Sequence, residues 1–271
     1  MSETATDESP FVEVKTNDGV RWLTLNRPKQ RNPLSILMLD ALTEAMNSAG
    51  ADPQVRVIVI GAAGPVFSAG HDLREMAKQD GEDIESQQQR IRGILEKCAV
   101  MMLGILHSPK AVIASVQGTA TAAGCQLVSV CDLAIAAKTA TFCTPGVNMG
   151  GFCTTPLVGI GRNIHRKHAM AMALTGDAIS ADESMRIGLI NESVAPEQLL
   201  ARTRQLAGQI AGNSVQGIRH GKEAFYRQID MPIEDAFSHA NEAMIRAMTS
   251  PDALEGNAAF FAKREPRWHR E

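Results

Sequence analysis

With 271 residues, 44% of them hydrophobic and 21% charged, the chain can bury a sizeable core and has the balance of a globular protein. A net charge of −3 gives no general attraction to nucleic acid or to an anionic membrane, and no apolar run approaches the roughly 18 residues that span a bilayer. The 5 cysteines are odd in number and form no C-x-x-C pair, which argues against a disulfide framework and a zinc site and favours a reducing compartment.

The N-terminal stretch MSETATDESP is acidic and polar. It lacks the apolar core of a signal peptide and the basic character of a transit peptide, so a disordered tail on a cytoplasmic protein is expected. Val20–Leu25 predicts a strand. The basic loop Asn26-Arg27-Pro28-Lys29-Gln30-Arg31 follows, then Asn32-Pro33, a capping residue and a first-turn proline. Leu34, Leu37, Met38, Ala41, Leu42, Ala45 and Met46 repeat at helical spacing. Arg27, Lys29 and Arg31 suit a phosphate, and equally suit solvent.

Residues 55–60 predict a second strand, leading through small residues to Ser68-Ala69-Gly70-His71-Asp72-Leu73. Asp72 with Glu75 has the spacing of a capping box, while the side chain of His71 carries no assigned role. Residues 74–90 are polar and read as a mobile surface segment; 91–107 predict a helix, with Met101 and Met102 as core filler.

Ala111–Val116 predicts a buried strand, feeding Gly118-Thr119-Ala120-Thr121-Ala122-Ala123-Gly124 and a helix from Cys125. A strand turning through small residues into a helix leaves outward N–H groups that hold an anion or a developing negative charge. The same small residues also serve close helix–sheet packing, and this stretch alone leaves both readings open. A strand at 133–136 precedes residues 141–156, whose glycines and prolines predict an irregular, functional loop. Gly159-Ile160-Gly161 lacks the rest of a dinucleotide fingerprint, and His165 with His168 has no further metal ligands nearby. Ser180 to Glu183 forms a capping box, 189–194 a last strand, and four helices are predicted at 196–212, 214–229, 232–249 and 250–264. The chain thus divides at 195/196 into an α/β core and a helical C-terminal region.

In order and spacing, the elements Asn26-Arg27-Pro28, Asn32-Pro33-Leu34, Phe67-Ser68-Ala69-Gly70-His71-Asp72-Leu73, Gln117-Gly118, Ala122-Ala123-Gly124-Cys125, Cys131-Asp132, Pro145-Gly146, Phe260, Lys263-Arg264, Pro266 and Trp268 resemble the crotonase (enoyl-CoA hydratase/isomerase) superfamily. The resemblance implies a ββα spiral core (residues 1–195) and a helical region (196–271) that builds trimers, often paired into hexamers. It implies an acyl-CoA thioester as substrate, with CoA part of the substrate and no other cofactor or metal. The backbone N–H groups of His71 and Ala123 correspond to the family's oxyanion hole, which holds a thioester enolate. Ser68, Ala69, Asp72, Leu73, Thr119, Thr121, Ala122, Pro145 and Thr154 fall around the substrate. Arg27, Lys29, Arg31, Phe260 and Lys263 match positions near the CoA phosphates and nucleotide.

The resemblance breaks at the two family glutamates that split water, which map to Gln126 and Gly146. An amide has no proton to exchange near neutral pH, and glycine leaves a space for a water or a substrate carboxylate. Efficient hydration is therefore not expected from this chain, and glutamates at both positions are expected to restore it. His71, Cys153 and Thr154 are the remaining candidates for acid–base work. An acyl-CoA enzyme is the leading expectation, with an acyl-CoA binder that turns nothing over as the alternative.

Overall fold

A computed structural model describes residues 9–269; most of the acidic tail, residues 1–8, lies outside the described residues. β1 (Val12–Asn17) and β2 (Val20–Leu25) form a hairpin with Asn17 opposite Val20. Its two-residue turn has Asp18 and Gly19 at φ 50° and 76°, the geometry that matches strand twist. β1 was not expected, although Asp18-Gly19 is a strong local hairpin signal. α1 (Ile36–Ala51) starts later than the Asn32-Pro33 pair suggested, because Ser35 caps it by accepting from Met38 N–H.

The core then winds through three turns of strand, strand and helix. The first is β3 (Val57–Ala62), β4 (Val66–Ser68), α2 (Leu73–Met76) and α3 (Ile84–Leu106). The second is β5 (Ala111–Val116), β6 (Thr119–Thr121) and α4 (Ala123–Val130). The third is β7 (Leu133–Ala137), β8 (Thr141–Cys143), α5 (Pro156–Asn163) and α6 (Arg166–Thr175). The first strand of each turn joins a six-stranded sheet of order β1-β2-β3-β5-β7-β10, parallel apart from the hairpin, after β9 (Ile179–Ser180), α7 (Ala181–Arg186) and β10 (Glu192–Val194) complete the core. The second strand of each turn joins a small sheet, β4-β6-β8-β9. This is the crotonase spiral. Its three-residue second strands are too short for any periodicity to reveal them.

Two sequence expectations need correction. Residues 74–90 are not a structureless segment: α3 begins at Ile84 behind an Asp83 cap, and Arg90 ties it to Glu82 and to the Glu75 and Ala77 carbonyls. Residues 141–156 contain β8 and a 3-10 turn at Pro145–Met149. Met101 and Met102 are core residues as expected.

The central strands β3, β5 and β7 of the large sheet are buried on both faces, which explains their continuous apolar runs. Ile58 and Ile60 join the main core, whereas Val57 and Val59 pack against Ala207 and Ala211 of α8 (Leu199–Ala211). α9 (Val215–Gln228), α10 (Ile233–Met248) and α11 (Pro251–Phe261) follow. α9 is anchored through Asp132, which takes Lys222 Nζ at 2.7 Å, Tyr226 OH at 2.9 Å and Val112 N–H at 2.7 Å. Lys222 and Tyr226 lie 90 and 94 residues away in the chain, so no local pattern announces them. Beyond this anchor α9–α11 expose large apolar side chains, among them Phe225, Ile233, Phe237, Met244 and Phe261.

Candidate acyl-thioester site

The site forms where the small sheet ends. β4 runs parallel to β6, with Ser68 beside Ala120 and Thr121 beside Cys143 of β8. The chain leading into β4 is clamped by Asn32, which is fully buried. Asn32 accepts from Arg27 N–H and donates to the carbonyls of Ala63 and Val66, so it staples loops and caps no helix. Ser68 Oγ donates to Asn32 O and accepts from Gly70 N–H. Ala69 N–H reaches Arg31 O, and Leu34 N–H reaches Gly70 O. Asp72 caps α2 as expected, accepting from Arg74 N–H, but Glu75 does not close the box. Its carboxylate accepts from Ile36 N–H at the head of α1.

The two loop–helix junctions are in backbone contact. A side-chain carbon on Gly70 (φ +83°) would lie 2.9 Å from Thr121 O and 3.2 Å from both Ala122 Cβ and Ala123 N. One on Gly124 would lie 2.6 Å from Ser68 O. Only glycine fits at either position. Between them Ala122 holds φ 50°, ψ −115°, a strained backbone for a residue with a side chain. It is held by its N–H to Cys143 O and by Gln126 N–H to its own carbonyl. Among the described residues, neither His71 N–H nor Ala123 N–H has a protein acceptor.

Three buried side-chain polar atoms on residues of these segments also lack partners: His71 Nε2, Gln126 Oε1 and Thr144 Oγ1. A buried polar atom without a partner costs about 1–3 kcal/mol, so each of the three is a candidate to meet a bound group. Thr144 follows Cys143, whose carbonyl holds Ala122, and was not singled out in the sequence although it adjoins Pro145-Gly146. Burial lowers the pKa of His71 from its ordinary 6.5. Burial raises those of Cys125 and Cys153, with the Gly146 N–H hydrogen bond partly opposing it at Cys153.

Gly146 does not leave an open space. A side-chain carbon there would meet Cys153 N and Sγ, each at 3.0 Å. Gly146 N–H donates to that sulfur at 3.3 Å. Pro145 opens the same 3-10 turn, while Thr154 is exposed. Thr119 and Thr121 hold the small sheet together, through Thr141 Oγ1 at 2.9 Å and Cys143 Sγ at 3.4 Å.

The basic loop splits in two. Arg27 is buried, stacked 3.7 Å over the Phe11 ring and donating to Ser9 O and Pro10 O. Lys29 and Arg31 are exposed beside the 69–71 loop. Leu73 is exposed at the start of α2. Phe260 and Lys263 lie on and after α11 and are also exposed; among the described residues no hydrogen bond or ion pair joins them to the site. His165 caps α6, and no group of three or more His, Cys, Asp or Glu among the described residues is placed to hold a metal. Nor is any described helix long and apolar enough to cross a membrane.

A ββα spiral with two apposed loop–helix junctions defines the class: residues 15–271 match the enoyl-CoA hydratase/isomerase family, and the chain belongs to it. It is 40% identical over 261 residues to mouse enoyl-CoA hydratase domain-containing protein 3, mitochondrial, covering 96% of this chain and 85% of that protein. The crystal structure of the human domain-containing protein 3 superposes with a TM-score of 0.91 at 38% identity, covering 95% of this chain and all of the other. A Mycobacterium smegmatis enoyl-CoA hydratase structure gives 0.91 at 42%, covering 96% and 100%. These relatives overturn the cytoplasmic expectation: the vertebrate proteins are named mitochondrial, which points to the mitochondrion. The reducing character read from the cysteines does not separate the two compartments.

Proposed function

We propose that the chain binds acyl-CoA thioesters and stabilises the enolate of the acyl group between the N–H groups of His71 and Ala123. The observation that carries this is the contact of Gly70 with Ala122 and Ala123, which brings together two N–H groups lacking protein acceptors. Donors aimed at developing charge typically contribute about 3–4 kcal/mol each. Lys29 and Arg31 meet the CoA phosphates, with Phe260 and Lys263 near the nucleotide; Arg27 is committed to Ser9, Pro10 and Phe11 and takes no part. CoA arrives with the substrate, and no other cofactor is needed. Residues 196–271 assemble the chain into trimers or paired trimers through the apolar side chains exposed on α9–α11.

Calorimetric titration with butyryl-CoA tests the reading. Lys29→Glu with Arg31→Glu is expected to weaken binding about 10-fold and to reduce its salt dependence, leaving butyryl-pantetheine unaffected. Absence of butyryl-CoA binding refutes it. A second reading, acyl-CoA holding without turnover, draws support from the amide at 126 and from Cys153 filling the space beside Gly146. A panel of CoA esters that includes malonyl-type and β-hydroxy esters separates the two by whether any product forms.

A further inference from the structure

Among the described residues, the segments around the junctions bring no free carboxylate to the site. Gln126 and Gly146 carry none, Asp72 is paired with Arg74 at 2.7 Å, and Glu75 is held by Ile36 N–H. On the segments packed around the junctions the other ionisable groups are Lys29, Arg31 and Arg74, which are exposed, and the thiols of Cys125, Cys143 and Cys153. The thiols of Cys125 and Cys153 are driven by burial away from ionising. The imidazole of His71 supplies the ring nitrogen on these segments that can accept a proton while staying neutral at rest, since burial lowers its pKa from 6.5. The His71 ring is adjacent in the chain to Gly70, whose contact with Ala123 N joins the junctions, and its Nε2 is buried with no partner.

We infer that His71 Nε2 is the group that removes and returns the proton on the carbon next to the thioester carbonyl. This rests on the binding mode proposed above. The Nε2 lone pair takes the hydrogen as a proton, and the C–H electron pair becomes the carbon–carbon double bond of the enolate. The carbonyl π pair moves to oxygen, where the two N–H groups hold it; reversal restores the ester. In heavy water the imidazolium exchanges with solvent and returns a deuteron. Burial favours the neutral ring, which is the form a base needs. Because the oxyanion donor of the same residue is backbone, replacing the side chain separates proton transfer from thioester binding.

The test is deuterium uptake at the α-carbon of butyryl-CoA incubated with the full chain in heavy water, read by mass spectrometry, beside calorimetric binding. The unaltered protein is expected to bind and exchange. Its rate should rise with pH through a single ionisation below 6.5 and level off above it. His71→Gln should still bind while exchange falls by at least about 100-fold. Exchange by His71→Gln at the unaltered rate overturns the inference. So does binding without exchange by the unaltered protein, or a rate with no ionisation below 6.5; in either case the binding reading stands. The pH profile needs no variant, so a His71→Gln chain that fails to fold does not shelter the idea.

Discussion

The apposition of the two junctions is open to a paired glycine experiment. Gly70 and Gly81 share a left-handed backbone, φ +83° and +76°, but an added methyl meets three atoms at 2.9–3.2 Å at position 70 and nothing within 4 Å at position 81. The backbone penalty of alanine is about 1–2 kcal/mol at either position. At Gly70 the methyl must also displace backbone, Thr121 O and Ala123 N, adding about 1–3 kcal/mol. Relief comes only by moving the His71 loop away from Ala123, and loss of one aimed donor lowers turnover about 10²–10³-fold. Urea denaturation should therefore place Gly70→Ala below Gly81→Ala, and α-proton exchange of butyryl-CoA should collapse in the first alone. If the two variants are equally stable and exchange at equal rates, contact between the junctions does not shape the site.

Lys222→Met should lower stability by about 1–3 kcal/mol in denaturant melts, because it leaves the partly buried Asp132 carboxylate, 2.7 Å from Lys222 Nζ, without its cation while Tyr226 OH and Val112 N–H still donate to it. Adding Asp132→Asn should recover part of that loss. At the second lost glutamate, Gly146→Ala should cost about 1–3 kcal/mol through its 3.0 Å contacts with Cys153, and Cys153→Ala should relieve the sulfur contact but not the one with the amide nitrogen. Because part of the crowding is relieved, Gln126→Glu with Gly146→Glu should gain more crotonyl-CoA hydration, followed as loss of conjugated absorbance, with Cys153→Ala than without it; an equal gain in both refutes the packing argument. Hydrogen bonds from Arg264, then Arg267 N–H, hold Glu255 at about 2 against an ordinary 4.5. A depressed carboxylate stabilises the fold above 4.5 and ceases to as pH falls toward 2, so Glu255→Gln should flatten that limb of the melting-temperature profile.

The sequence by itself determined the elements whose signal is local. Val20–Leu25 and Ala111–Val116 showed as apolar strands, the four C-terminal helices as periodic runs, Ser250-Pro251 as a helix start, and Asp72 as a cap. The order of short motifs also carried the family. Only the tertiary structure decided which residues are committed elsewhere. Asn32 looks like a cap and is a staple, Arg27 looks like a phosphate ligand and holds the N-terminal segment, and Gly146 looks like a gap that Cys153 fills. The physical reason is common to all three. A residue's backbone preference acts over a few neighbours, whereas its hydrogen bonds and the atoms against it come from segments up to tens of residues away, and these settle which polar groups remain free for a substrate.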